Sequence, residues 1–290
     1  MNDYSRPQPS RFLIEKVMDS IRSTERSTES RHAVNGYFYV DIIRKRVMTN
    51  SLTIISGSDP CLFLLNLLSN ISIYWERPAL FVCLETDPEI AYLRLLSIIS
   101  GINTADVLSR RISPTCFAAI DDAATDLYRA PTFFWGPLSL DMNCLEQEAL
   151  RLLSEYGKMS LFIDAIPELK PSISEPQGMS PFQRVCDQLG EFAETHNIPV
   201  VGGVDRFDVG DVSGLADLMV DVEQHGGEAT IRVTDFFQQE ESVVRYLECC
   251  GRYSEKYYRP WGDKFEKAGA HPARSVIPYN AQSINTDSTG

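Results

Sequence analysis

The sequence predicts an α/β protein: a mostly parallel sheet with helices on both faces and antiparallel strands at its C-terminal edge. Three observations carry that expectation. Short, wholly apolar runs recur, among them LTIISG at 52–57, ALFVCLE at 79–85 and LFID at 161–164. Strands buried on both faces read this way. Amphipathic, helix-length segments separate these runs, as crossovers between parallel strands require. Finally, 43% of the 290 residues are hydrophobic, enough to fill a sizeable core.

Taken in order, residues 1–10 read as a tail. From Arg11 to about Arg31, Phe12, Ile14, Val17, Met18 and Ile21 form an apolar stripe at helical spacing, which Ser, Thr and Glu then thin into a linker. The strand at 52–57 is followed by a turn and by LFLLNLLSNISIYW, helix-length and apolar. After the strand at 79–85, Asp87-Pro88-Glu89 opens a helix in which Ile90, Leu93, Leu96 and Ile99 share a face, and Gly101 suits its end. Asn103–Ser109 and Phe117–Arg129 read as helices, TFFWG at 132–136 as a strand, and Asn143–Tyr156 as a helix. A strand at 161–164 and a helix at Pro181–His196 come next, then strands IPVVGG (198–203) and DLMVDV (217–222). TIRVTDF and SVVRYLEC close the alternation as an antiparallel pair. Residues 268–290, poor in large apolar side chains, read as a disordered tail.

Composition narrows the function classes. Forty acidic against 27 basic residues give a net charge of −13, the wrong sign for a chain that coats nucleic acid through its whole surface. No run reaches the roughly 18 apolar residues of a membrane span, and MNDYSRPQPSRF has no apolar core of a secretory signal. The seven cysteines are odd in number, without Cys-x-x-Cys spacing, and the four histidines are scattered. They read as reduced core thiols of a cytoplasmic protein, with no metal site.

In open α/β sheets, ligands bind beyond the carboxyl ends of the strands. Four such ends carry chemistry. The first, ISGSDPCLFLL, stands where a P-loop would follow strand one. A P-loop needs glycines for close backbone approach, a Lys for the phosphates and a Ser or Thr for magnesium. Here Gly57, Ser58, Asp59, Pro60 and Cys61 offer one glycine and no lysine, and no Lys occurs between Lys45 and Lys158. The bland reading is a strand-to-helix turn with Pro60 at the first helical position. The second end, CLETDPE, offers Glu85 as a base for a water, or as a solvated carboxylate or helix-capping group. The third, LFIDAIPE, ends in Asp164, either a magnesium ligand or a turn former. The fourth, VVGGVDRF, sets Asp205 and Arg206 beside glycines that read as flexible.

The order of these pieces resembles the RecA-like ATPase domain of DnaB-type replicative helicases. The resemblance runs from the first strand through LFVCLETDPEIAYLRLLSIISGINTADVLSRRI, the Walker-B-like LFIDAIPEL, HNIPVVGGVDRF and GLADLMVDVEQ, about Leu52 to Val233. It implies a RecA-like P-loop NTPase fold, and it matches Glu85 and Asp164 to the family's acidic site residues. The departures are as informative. The family's Gly-Lys-Thr is missing, its loop is about three residues shorter, and Cys61 falls near the magnesium-ligand position. Asp205 replaces a Gln, and the Lys-Gln-Arg that reaches a neighbouring subunit's nucleotide falls at Thr234-Asp235-Phe236. An arginine finger alone is worth about 10³–10⁵ in rate. The resemblance therefore implies a pseudo-ATPase in which Glu85, Asp164 and Asp205 are vestigial and no cofactor is held. ATP and magnesium enter only under the alternative, a divergent active ATPase in which Arg44, Lys45 or Arg46 supplies the phosphate cation.

Domain organisation follows: 1–50 as tail, helix and linker, 51–250 as the RecA-like domain, and 251–290 as an extension. The helix at 11–31 reads either as a linker that docks on a neighbouring subunit or as one packed on its own domain. GRYSEKYYRPWGDKFEK at 251–267 interleaves Arg252, Lys256 and Arg259 with Tyr253, Tyr257, Tyr258 and Trp261. That composition serves protein contact, packing over the sheet edge or, more weakly, stacking on single-stranded DNA. The partners expected are a replicative helicase or another replication subunit, or further copies of the chain through a RecA-type interface, with no membrane. An acidic scaffold that binds a basic partner is the remaining reading.

Overall fold

The computed structural model describes residues 7–11, 13–14, 18, 50–57, 59–74, 76–109, 112–172, 178–205, 214–225, 228–236, 240–249 and 252–255. The strands are β1 (Gln8–Pro9), β2 (Leu52–Gly57), β3 (Ala79–Val82), β4 (Thr132–Trp135), β5 (Ser160–Ile163), β6 (Val200–Asp205), β7 (Leu218–His225), β8 (Glu228–Asp235), β9 (Glu240–Cys249) and β10 (Arg252–Glu255). The helices are α1 (Pro60–Ser69), α2 (Pro88–Ser100), α3 (Thr104–Ser109), α4 (Pro114–Arg129), α5 (Met142–Tyr156) and α6 (Pro181–His196).

All ten strands form one sheet in the order β1-β4-β3-β5-β6-β2-β7-β8-β9-β10. The six central strands, β4 to β7 in that order, are parallel. The pairs β7–β8, β8–β9 and β9–β10 are antiparallel, as expected for the C-terminal edge. Short turns join antiparallel neighbours, whereas each parallel step needs a crossover, and from β2 to β6 the crossovers are the helices.

Those helices divide the core in two. On one face, Phe63, Leu64 and Leu68 of α1, Tyr92 and Leu95 of α2 and Ile120 and Leu127 of α4 pack on Ile55, Phe81, Phe134 and Phe162. On the other, Leu145 and Leu152 of α5 and Val185 and Leu189 of α6 pack on Ile54, Val82, Trp135 and Ile163. Alternate residues of each strand thus feed opposite layers, which is why the central strands are apolar throughout.

Local signals place the helix ends. Asp87 caps α2 through the Glu89 N–H (2.8 Å), with Pro88 at the first helical position. Ser180 and Gln183 form a reciprocal capping box at the start of α6. The Pro114 start of α4 lies three residues before the expected one, because Ser113 and Pro114 make a legitimate entry. The apolar run after β2 is broken: α1 ends at Ser69 and a π turn covers Asn70–Tyr74.

Several expectations are corrected. Residues 8–9 are no tail, since Gln8 and Pro9 pair with Phe134 and Phe133 at the edge of β4. The described helical residues Leu13, Ile14 and Met18 are buried in the α1–α2–α4 layer, so these three pack on their own chain. Its remainder to Arg31 lies outside the described residues. On α2 the buried face is centred on Tyr92, Leu95 and Ile98, and Ile90 is 39% exposed. An i, i+3 ladder drifts around a 3.6-residue helix, so Ile90 leaves the face that Leu93 and Leu96 share. The sequence pattern gives no sign of β10, which extends the antiparallel edge by one strand.

Candidate functional site

The candidate site lies past the carboxyl ends of β2, β3, β5 and β6. At β2, Gly57 approaches β7 so closely that an added Cβ would meet the Val222 carbonyl oxygen at 2.6 Å. The chain then turns into α1. Asp59 caps this helix by accepting the Leu62 N–H at 3.1 Å, and Pro60 takes the first helical position, where no N–H is needed. The same carboxylate takes a second partner from α2. Arg94 Nη1 lies 3.2 and 3.3 Å from its two oxygens, with both side chains about a third exposed. An anion therefore already sits at the positive end of α1, and it belongs to the protein.

Asp164, just past β5, is 3% exposed. It reaches sideways to the loop after β3. Its Oδ1 accepts the Leu84 N–H at 2.6 Å, its Oδ2 accepts the Thr86 N–H at 2.8 Å, and the Glu85 N–H lies 3.3 Å from both oxygens. Strand β3 stops at Val82 rather than Glu85 because these amides turn to the carboxylate. Burial pushes the Asp164 carboxyl above its ordinary value, while the amides of Leu84, Thr86 and Glu85 and the Thr86 hydroxyl pull it back. Backbone packing fixes its place: a Cβ on Gly203 of β6 would collide with the Asp164 carbonyl oxygen, and one on Gly202 with the Ile166 side chain. These glycines are buried in a strand, not flexible, and serve close approach.

Between the two aspartates lies a small polar cluster. The Thr86 hydroxyl donates to Cys61 Sγ at 3.6 Å. Burial, with smaller contributions from Asp164 and Asp59, pushes the Cys61 thiol up to about 12. Burial also raises the Cys83 thiol well above its ordinary value, with Asp164 and Cys61 adding to it. Neutral thiols are poor ligands for a hard cation such as magnesium, which takes oxygen.

The remaining candidates separate. The Glu85 side chain is exposed, as is Asp205 at the tip of β6, in register with Gly57. Thr234 and Asp235 pair with Met219 and Leu218, at the end of the sheet away from Gly57. Ser58, Arg44, Lys45, Arg46 and Arg206 lie outside the described residues, as do Lys256, Tyr257, Tyr258, Arg259 and Trp261; Arg252 and Tyr253 are described as backbone of β10. Reasoning from sequence missed Arg94 and Thr86. Arg94 had a signal, since it is the one cation in the apolar stretch AYLRLLSII.

The parallel core, its strand order and the strand-end site define a RecA-like fold. No protein-family model matches the sequence. A probable replicative DNA helicase of Guillardia theta is 24% identical over 196 residues, 66% of this chain and 32% of that protein. The replicative DNA helicase DnaB of Treponema pallidum is 24% identical over 204 residues, 68% of this chain and 44% of that protein. The chain thus matches less than half the length of these curated relatives. Among solved structures, a DnaB-like replicative helicase studied with its interactions with primase superimposes with a TM-score of 0.64 at 11% identity, covering 84% of this chain and 66% of that one. A second solved structure, an isolated ATPase domain, gives 0.65 at 12% identity, covering 84% of this chain and 97% of that one. The described residues therefore have a RecA-like fold, like that of the solved DnaB-like helicase, and the sequence is similar to replicative helicases. No helix among the described residues is long and apolar enough to cross a membrane.

Proposed function

We propose that this protein is a non-hydrolysing relative of DnaB-type helicases that acts by binding, as a regulatory subunit in DNA replication or in a mobile-element nucleoprotein complex. The observation that carries the reading is the corner at β2 and α1. Where a triphosphate needs amide donors, a lysine and a magnesium ligand, the chain has Asp59 as cap, Arg94 neutralised by it, and the thiol of Cys61. Asp164, the natural magnesium ligand, directs its oxygens at three amides. These residues do not fit a magnesium nucleotide. The relatives and neighbours named above support a replication partner, such as a helicase or a primase-like subunit, met through the RecA-type surface or through further copies of the chain.

Nucleotide binding is the test. A ligand at about 100 times its dissociation constant stabilises a fold by roughly 2.7 kcal/mol, a visible thermal shift. We expect none with millimolar ATP or an unhydrolysable analogue plus magnesium. A clear shift, followed by turnover that vanishes in Glu85→Ala and Asp164→Ala, would overturn the reading in favour of a divergent ATPase. A pull-down from host extract without any helicase or replication protein would sink the partner half.

A further inference from the structure

Among the described residues, four buried side-chain hydroxyls have no hydrogen-bond partner: those of Thr53, Tyr92, Thr132 and Ser160. All four belong to the α1–α2–α4 layer. Tyr92 is part of that core, and Thr53, Thr132 and Ser160 share their strand faces with Ile55, Phe134 and Phe162, which are part of it too. Thr53 stands apart on β2, but Thr132 and Ser160 are placed together. Ala79, which opens β3, pairs with Thr132 on one side and with Ser160 on the other. The three residues make one row across β4, β3 and β5, at the amino end of the parallel strands.

The next row on the same face of these strands is Phe134, Phe81 and Phe162. Its neighbouring ring centroids lie 5.6 and 6.4 Å apart, and Tyr92 of α2 meets Phe134 edge-on at 5.8 Å. One pleat lower, a threonine, an alanine and a serine stand in the width that three phenylalanines take above. All three are buried, Thr132 at 1% exposure and Ala79 and Ser160 at 0%. A buried hydroxyl that gives up its water without a replacement bond costs free energy. Protein interiors meet that cost with an ordered water where polar groups and room coincide. Here small side chains supply the room and the two hydroxyls the polar groups. Asp164, the one charged side chain among the described buried residues, lies past the opposite, carboxyl end of β5. A charged ligand in the row would therefore have no counter-charge, which leaves a neutral one.

We infer that the row Thr132–Ala79–Ser160 is a buried water site, in which one or two ordered waters lie over the Ala79 methyl group and bridge the Thr132 and Ser160 hydroxyls. Strands β4 and β5 are two spacings apart, about 9.6 Å. Each hydroxyl can both donate and accept, and a chain of two waters spans roughly 8 Å between their oxygens at about 2.8 Å per bond. The site lies at the other end of the sheet from Asp59 and Asp164, and it does not rest on the reading of that corner.

A crystal structure of the full chain, at a resolution that orders water, is the direct test. The expected result is a water within hydrogen-bond distance of Thr132 Oγ1, joined to Ser160 Oγ directly or through one more water. A dry row, or hydroxyls bonded to main-chain carbonyls instead, overturns the inference. Stability gives a second readout that needs no crystal. Thr132→Val keeps the shape of the side chain and removes its hydroxyl, so the water loses a partner and the urea midpoint should fall below that of the unaltered chain. A midpoint that holds or rises, as relief of an unpartnered hydroxyl would give, also overturns it.

Discussion

Asp59 and Asp164 stand at equivalent places, each just past the carboxyl end of a buried parallel strand, and they do opposite work. Asp59 is a third exposed and binds what lies next to it in its own helix plus one guanidinium from α2. Asp164 is 3% exposed and binds the backbone of a different strand's loop through at least two short N–H bonds. One carboxylate is held by a local helix cap and a solvent-screened ion pair, the other by desolvated bonds to a distant loop. The difference teaches that keeping an acidic residue at a strand end says little about magnesium. What decides its role is whether its lone pairs face open space or amides.

The largest expected effect lies at Asp164. Asp164→Ala leaves the amides of Leu84, Glu85 and Thr86 without their acceptor, and should lower stability by about 3 kcal/mol, read as a shifted urea midpoint. A loss under about 1 kcal/mol would erase the contrast with Asp59. Next come the glycines that seat the site. Gly203→Ala drives a Cβ into the Asp164 carbonyl, and Gly57→Ala one into that of Val222, both rigid backbone. Each should cost about 2 kcal/mol, as overpacking does. If Gly203→Ala is neutral, Asp164 is not held from the β6 side.

A smaller effect belongs to Asp59. Asp59→Ala should lose about 1 kcal/mol, mostly from the helix cap. Arg94→Ala should cost less, about 0.5 kcal/mol, because a part-exposed ion pair is screened. A double-mutant cycle that returned a coupling well above 1 kcal/mol would show the pair to be as desolvated as Asp164. The smallest effect is confined to alkaline solution. The Cys61 thiol has an ordinary value of 9.0 and is raised to about 12 in the fold. The folded chain thus holds this proton to higher pH than the unfolded chain. Its contribution to stability is whole below pH 9 and fades as pH rises toward 12. Cys61→Ser should make the alkaline limb of a stability profile shallower without moving the neutral plateau relative to that limb's start near pH 9.

Much of the architecture was legible in the sequence. The apolar runs at 52–57 and 161–164 are strands because both faces are buried, and Pro181–His196 is a helix over those bounds because Ser180 and Asn197 cap it. Legibility failed where partners are distant. Gln8–Pro9 read as a tail since nothing within ten residues shows that Phe133 and Phe134 offer an open edge. The strand at 79–85 read three residues too long because Leu84 and Glu85 are apolar-run neighbours whose amides answer to a carboxylate about 80 positions away.

Composition and periodicity, then, determined the α/β class, the burial of the central strands, the missing lysine and the carboxylates at strand ends. These follow from side-chain chemistry and from local spacing, which a linear sequence displays. Tertiary structure alone decided that Arg94 meets Asp59 and that Asp164 clamps the loop after β3. Those facts depend on which strands become neighbours, and that is set by packing across the whole sheet.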